Sequence, residues 1–183
     1  MTLRLFFPAL LVALSTLTHA QEVPPSWVPG TWPVVLDEVA LSNPWVGGLT
    51  APQWSVFDAD LDGDDDLFAF DRDGSRVLMF ERIPGEDMTL RWDWTEGWPD
   101  MVDWCLLRDY NCDGKPDIFT SHQNGIRVFT NTTQPGEGPS FDPDPVTLFA
   151  TFDLIGSDPS DLPVICLGMD LPAIMDHDDD GDL

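Results

Sequence analysis

The chain has 183 residues, with 8 Lys and Arg against 33 Asp and Glu, for a formal charge of −25. That balance excludes nucleic acid as a partner, because phosphate backbones are bound by clustered cations and the only lysine is Lys115. Disorder is excluded too: 43% of the residues are hydrophobic, and eight Trp and eleven Phe have to be buried somewhere.

In chain order, residues 1–20 come first: a charged start at Arg4, an apolar run from Leu5 to Leu14 and the small-residue exit Thr18-His19-Ala20. This pattern predicts a secretory signal peptide and a secreted or cell-surface location. The apolar run is too short for a transmembrane segment, and no later stretch approaches the roughly 18 apolar residues that a spanning helix needs. Residues 21–43, rich in Pro and Trp, form a segment of their own, either a lead-in or a strand that closes the following fold. Over the whole chain, 17 Pro and 14 Gly leave little room for helices and favour short strands joined by turns, an all-β chain.

From Pro44 onward one acidic pattern recurs. Its copies span 58–66 (Asp58, Asp60, Asp62, Gly63, Asp64, Asp66), 109–117 (Asp109, Asn111, Asp113, Gly114, Lys115, Asp117) and 176–183 (Asp176, Asp178, Asp180, Gly181, Asp182). Each reads Asp-x-Asp/Asn-x-Asp-Gly, and the first two add Asp at position 9. The third stops at position 8, so the chain is expected to be an N-terminal piece of a longer protein. Oxygen-bearing side chains at positions 1, 3, 5 and 9 of a tight loop suit Ca2+, which takes six to eight oxygen ligands. Glycine at position 6 makes the sharp turn at little steric cost. Position 7, held by Asp64, Lys115 or Asp182, is expected to offer its backbone carbonyl, which leaves its side chain free to vary.

An EF-hand shares the first half of this pattern but needs Glu at position 12 and flanking helices. Position 12 here is Ala69 or Thr120. The flanks, Trp54-Ser55-Val56-Phe57, Leu67-Phe68-Ala69-Phe70 and Ile118-Phe119-Thr120, are aromatic and β-branched runs that predict strands. Each loop is therefore expected at a hairpin turn. A turn and a further strand follow in Phe70-Asp71-Arg72-Asp73-Gly74-Ser75-Arg76-Val77-Leu78-Met79-Phe80 and again in Ser121-His122-Gln123-Asn124-Gly125-Ile126-Arg127-Val128-Phe129-Thr130-Asn131.

These residues resemble the FG-GAP or VCBS-type repeats of integrin-alpha-like β-propellers. The resemblance covers 44–183, although the Phe-Gly and Gly-Ala-Pro signatures that named the family are not literal here. It implies four-stranded antiparallel propeller blades with calcium in a loop between the first two strands. The chain would hold about two blades and part of a third, and the remaining blades of the same protein would be its first partners. The implied function is a calcium-binding module with a structural, adhesion or ligand-binding role toward a protein or glycan, and no catalysis. The alternative is an accessory propeller in a larger exported carbohydrate-active or other hydrolytic enzyme.

Three features carry bland readings beside sharper ones. Trp92, Trp94, Trp98 and Trp104 could stack on sugars, but core packing is the more ordinary use of such a cluster. Cys105, Cys112 and Cys166 permit at most one internal disulfide. Asn131-Thr132-Thr133 is a glycosylation sequon.

Overall fold

The computed structural model describes residues 33–152 and 160–177. The signal-peptide reading of 1–20, most of the 21–43 segment and the third acidic loop from Asp178 on lie outside the described residues.

The chain is all-β and built from antiparallel hairpins. A small exposed hairpin comes first, β1 (Val35–Leu36) and β2 (Val39–Ala40). Its two turn residues, Asp37 and Glu38, both have positive φ, as a two-residue hairpin with the twist of its strands requires. Four strands then form the first sheet in sequential order: β3 (Pro52–Phe57), β4 (Asp66–Asp71), β5 (Arg76–Glu81) and β6 (Thr89–Leu90). Past a short 3-10 turn at Asp93–Thr95, the second sheet repeats that order with β7 (Cys105–Arg108), β8 (Asp117–His122), β9 (Gly125–Phe129) and β10 (Val146–Thr147). A last pair, β11 (Phe149–Phe152) and β12 (Ser160–Pro163), stands beyond it.

Alternation along the strands explains the packing, because successive side chains leave a strand on opposite faces. Phe57, Phe68, Phe70 and Met79 of the first sheet meet Cys105, Leu107, Ile118 and Phe129 of the second in one buried cluster. The connection between the sheets contributes Trp94, Met101 and Trp98. Trp98 lies flat on Phe68 with ring centroids 4.5 Å apart and meets Phe57 edge-on. Trp104 packs on the far face of the second sheet with Phe119, Ile126 and Val128, under a cover of Leu148, Val164, Cys166 and Ile174. Trp92 packs behind the first sheet against Ala69, Leu78 and Phe80. The tryptophan cluster is therefore packing, distributed over three apolar layers. None of the three cysteines forms a disulfide; Cys105 and Cys166 are buried and Cys112 is exposed.

Both acidic loops bridge the first two strands of their sheets in the same register. The residue before the loop pairs with its ninth position, Phe57 with Asp66 and Arg108 with Asp117. Among the described residues no helix is long and apolar enough to cross a membrane.

Candidate metal centre

The first loop is held by its own carboxylates. Asp58 accepts the backbone N–H groups of Asp62 at 3.0 Å and Gly63 at 2.9 Å, and Asp62 accepts that of Asp64 at 2.9 Å. Such short side chains turn the backbone by bonding N–H groups a few residues ahead. Positions 4 and 6, Leu61 and Gly63, have φ of 61° and 99°, and glycine takes the second of these without strain. Asp66, buried where β4 begins, accepts the N–H of Ala59 at 3.0 Å and of Arg82 at 2.7 Å. The outcome is convergence: carboxylate oxygens of Asp58, Asp60 and Asp66 all lie within 4.8 Å of one another.

Three converging carboxylates are hard oxygen donors, a set that suits a divalent cation such as calcium, magnesium or manganese and not a thiolate-seeking metal. They carry like charge, and their surroundings raise the cost of holding it. Burial, and then the neighbouring Asp62 carboxylate, push Asp60 above the usual carboxylate range. Burial does the same to Asp66, against the opposing pull of the Arg82 and Ala59 N–H groups. A cation among these oxygens would relieve that repulsion, so the residues present fit a metal ion. Asp62 and Asp64 stand outside the converging trio.

The second loop has the same skeleton. Asp109 accepts the N–H of Asp113 at 3.1 Å and of Gly114 at 2.8 Å, and Asp113 accepts that of Lys115 at 2.9 Å. Cys112 and Gly114 repeat the positive φ, at 59° and 87°. Asp117 is buried and accepts Tyr110 N–H at 2.8 Å and Asn131 N–H at 2.6 Å, while burial raises its pKa. Its charge arrangement differs. Asn111 accepts Asp113 N–H at 3.0 Å and donates its amide to the Asp113 carboxylate at 3.2 Å. Lys115 Nζ lies 3.5 Å from the same carboxylate. Burial pushes Asp113 up, but the Lys115 N–H, the Asn111 amide and the Lys115 charge together outweigh it and hold the carboxyl below its ordinary value. Of the third loop, Asp176 is half-buried and His177 exposed; Asp178, Asp180 and Asp182 lie outside the described residues.

Two residues beyond the loops belong to this arrangement and were not legible as such. Arg82 and Asn131 each stand two positions past the last aromatic of the third strand, Phe80 and Phe129. Both give their backbone N–H to the ninth carboxylate, and both use a side-chain nitrogen on the carbonyl of position 8: Arg82 Nε on Asp65 at 3.0 Å, Asn131 Nδ2 on Pro116 at 3.0 Å. The sequon reading of Asn131 gives way here. The residue is buried, its amide nitrogen is engaged by Pro116 and its oxygen by Thr133 N–H, so the group that a glycan would need is turned into the fold.

The second unit also reaches the first loop directly. Gly136 donates its N–H to the carbonyl of Asp60 at 2.7 Å. The groove at this junction is lined by Asp60, Glu81, Arg91, Asp93, Trp94 and Glu137. Arg91 is committed there, bonded to Glu81 at 2.8 Å and Asp93 at 2.6 Å with its guanidinium over the Trp94 ring.

Fold and site together define an all-β protein that carries acidic loops on successive sheet hairpins, one of them with three carboxylates close enough together that they could hold a cation. No protein-family model, curated protein or solved structure matches the chain.

Proposed function

We propose that the two four-stranded units are successive propeller blades of the FG-GAP or VCBS type, and that their acidic loops bind calcium. On this reading the chain is part of an exported repeat module with a structural, adhesion or ligand-binding role toward a protein or glycan. The observation that carries it is the recurrence of one hydrogen-bonding scheme in two loops whose side chains differ at positions 2, 3, 4, 7 and 8. A mere acidic surface has no reason to preserve carboxylates at positions 1, 5 and 9 while the residues between them change.

In the first loop Asp58, Asp60 and Asp66 would hold the ion, joined by Asp62 and by the carbonyl of Asp64. In the second the ligands would be Asp109, Asn111, Asp113, Asp117 and the carbonyl of Lys115. Asp176, Asp178, Asp180 and Asp182 would serve a third. The bound ion supplies positive charge and cross-links the loop. The chain's own residues fix the turn through the Asp58 and Asp109 caps and tie it to the sheet through Asp66 and Asp117.

The test is thermal unfolding of the chain in chelator, in millimolar calcium and in millimolar magnesium. Calcium is expected to raise the midpoint. Magnesium is expected to raise it much less, because that smaller ion demands near-octahedral ligands and sheds water reluctantly. Equal midpoints in chelator and in calcium would overturn the proposal. The affinity expected is that of extracellular modules, on the order of 10⁻⁴ to 10⁻³ M.

A further inference from the structure

We infer that Arg82 and Asn131 are the positioning residues of their loops: each holds positions 8 and 9 in place so that the ninth carboxylate faces the ion. The inference rests on the calcium reading above. It starts from a coincidence that neither residue's chemistry predicts. An arginine and an asparagine, one from each sheet, make the same pair of contacts to the same two loop positions. The backbone N–H of each fixes one oxygen of the ninth carboxylate, and a second N–H, from position 2 of the loop, fixes the other. The side-chain donor then pins the carbonyl immediately before it.

A carboxylate whose two oxygens each already accept one backbone N–H is restrained in rotation and keeps its remaining lone pairs for a cation. Removing the side-chain donor frees the carbonyl of position 8 and loosens the main chain that carries the ninth carboxylate, whose own two backbone bonds remain. The penalty falls on metal binding, where the carboxylate's orientation counts, because the backbone contact to it survives in the metal-free chain. Charge is a separate matter. Arg82 brings a cation to the edge of a strongly acidic loop, whereas Asn131 brings none, so only the hydrogen bond is common to both.

That difference supplies the control. Arg82 is exposed, so its variants keep the core intact. Arg82→Ala and Arg82→Asn lose the same charge, but only the asparagine retains a donor that reaches position 8, as Asn131 shows in the second sheet. Calcium is titrated calorimetrically into the full chain and both variants, and each is also melted in chelator. Arg82→Asn is expected to bind within about twofold of the parent, and Arg82→Ala about three- to tenfold more weakly at one of the sites, the range set by one net hydrogen bond. The metal-free midpoints of the two variants are expected to coincide. Equal affinities for the two variants overturn the inference and leave the calcium reading standing. So does a loss in Arg82→Ala matched by an equal fall in its metal-free midpoint, which would mark a general structural role. A parent chain that takes up no calcium overturns both.

Discussion

Between Asp58 and Asp66 the first loop carries six carboxylates and no cation; between Asp109 and Asp117 the second carries three carboxylates, the Asn111 amide and Lys115. The backbone ignores this difference. Both loops use the first Asp to cap positions 5 and 6, place positive φ at positions 4 and 6, and bury the ninth Asp against the end of the third strand. What changes is how the charge is met. Burial raises the ninth Asp in both loops; in the first, burial and the Asp62 carboxylate also raise Asp60, whereas in the second the Lys115 N–H, the Asn111 amide and the Lys115 charge hold Asp113 below its ordinary value. Loop geometry is thus set by side-chain-to-backbone bonds. On the proposed calcium reading, the call for a cation follows the net charge left over, which is greater in the first loop.

The largest expected effect tests the shared part. Asp66→Ala and Asp117→Ala each remove a buried acceptor from two backbone N–H groups, and an orphaned buried donor costs about 1–3 kcal/mol. Each variant is expected to lose about 3 kcal/mol of metal-free stability in urea unfolding. The equivalence of the loops breaks if one substitution is severe and the other silent.

Next comes the charge difference itself. Asp60→Asn makes position 3 of the first loop like that of the second, and Asn111→Asp does the reverse. Calcium affinity is tuned by the number of charged ligands, so the first change is expected to weaken binding at its loop by about tenfold and the second to tighten it at the other. Metal-free midpoints are expected to move the opposite way. Asp60 is raised by its surroundings, so its ionised form costs stability, and the neutral amide removes that cost. Midpoints in chelator and calorimetric titrations of both variants check the pair of signs.

A smaller difference lies at the other end of the strands. β4 closes on Asp71, whose carboxylate accepts Ala51 N–H at 2.8 Å and Thr50 N–H at 3.1 Å, while β8 closes on His122. The Ala51 bond first, and then the Thr50 bond, hold Asp71 below the ordinary carboxylate value against the opposing effect of burial. A depressed pKa contributes stability that is present above the unfolded value, about 3.9, and is lost as pH falls through the folded one. Asp71→Asn is therefore expected to lower stability at about pH 6 and to flatten its decline below about pH 4, as urea midpoints across that range would register.

The smallest effect is expected at Lys115. Its contact with Asp113 is a long, partly exposed ion pair, worth roughly 0–1 kcal/mol. Lys115→Ala is expected to leave calcium binding within about threefold of the parent, whereas Asp113→Ala abolishes it at that loop. Equal losses in a titration of the two variants would show that position 7 acts through its side chain.

Much of this protein was legible in local sequence, because local bonds decide it. Strand-forming runs on either side of each loop, glycine at position 6 and the spacing of the acids all act within about ten residues, and they predicted hairpins carrying acidic turns. The four-stranded antiparallel sheets and the metal-compatible trio follow from them. Other features depend on which strands become neighbours, and no short window contains that information. Trp98 could have been a sugar platform until the two sheets closed over it and stacked it on Phe68. Asn131 carried a sequon until strand pairing set it beside Pro116, fifteen residues back along the chain. Nothing in the local sequence singles out Arg82, yet the register of β4 with β5 puts its N–H on Asp66, sixteen residues earlier. In each case the deciding partner comes from another strand or another sheet, so only the assembled sheets determine what the residue does.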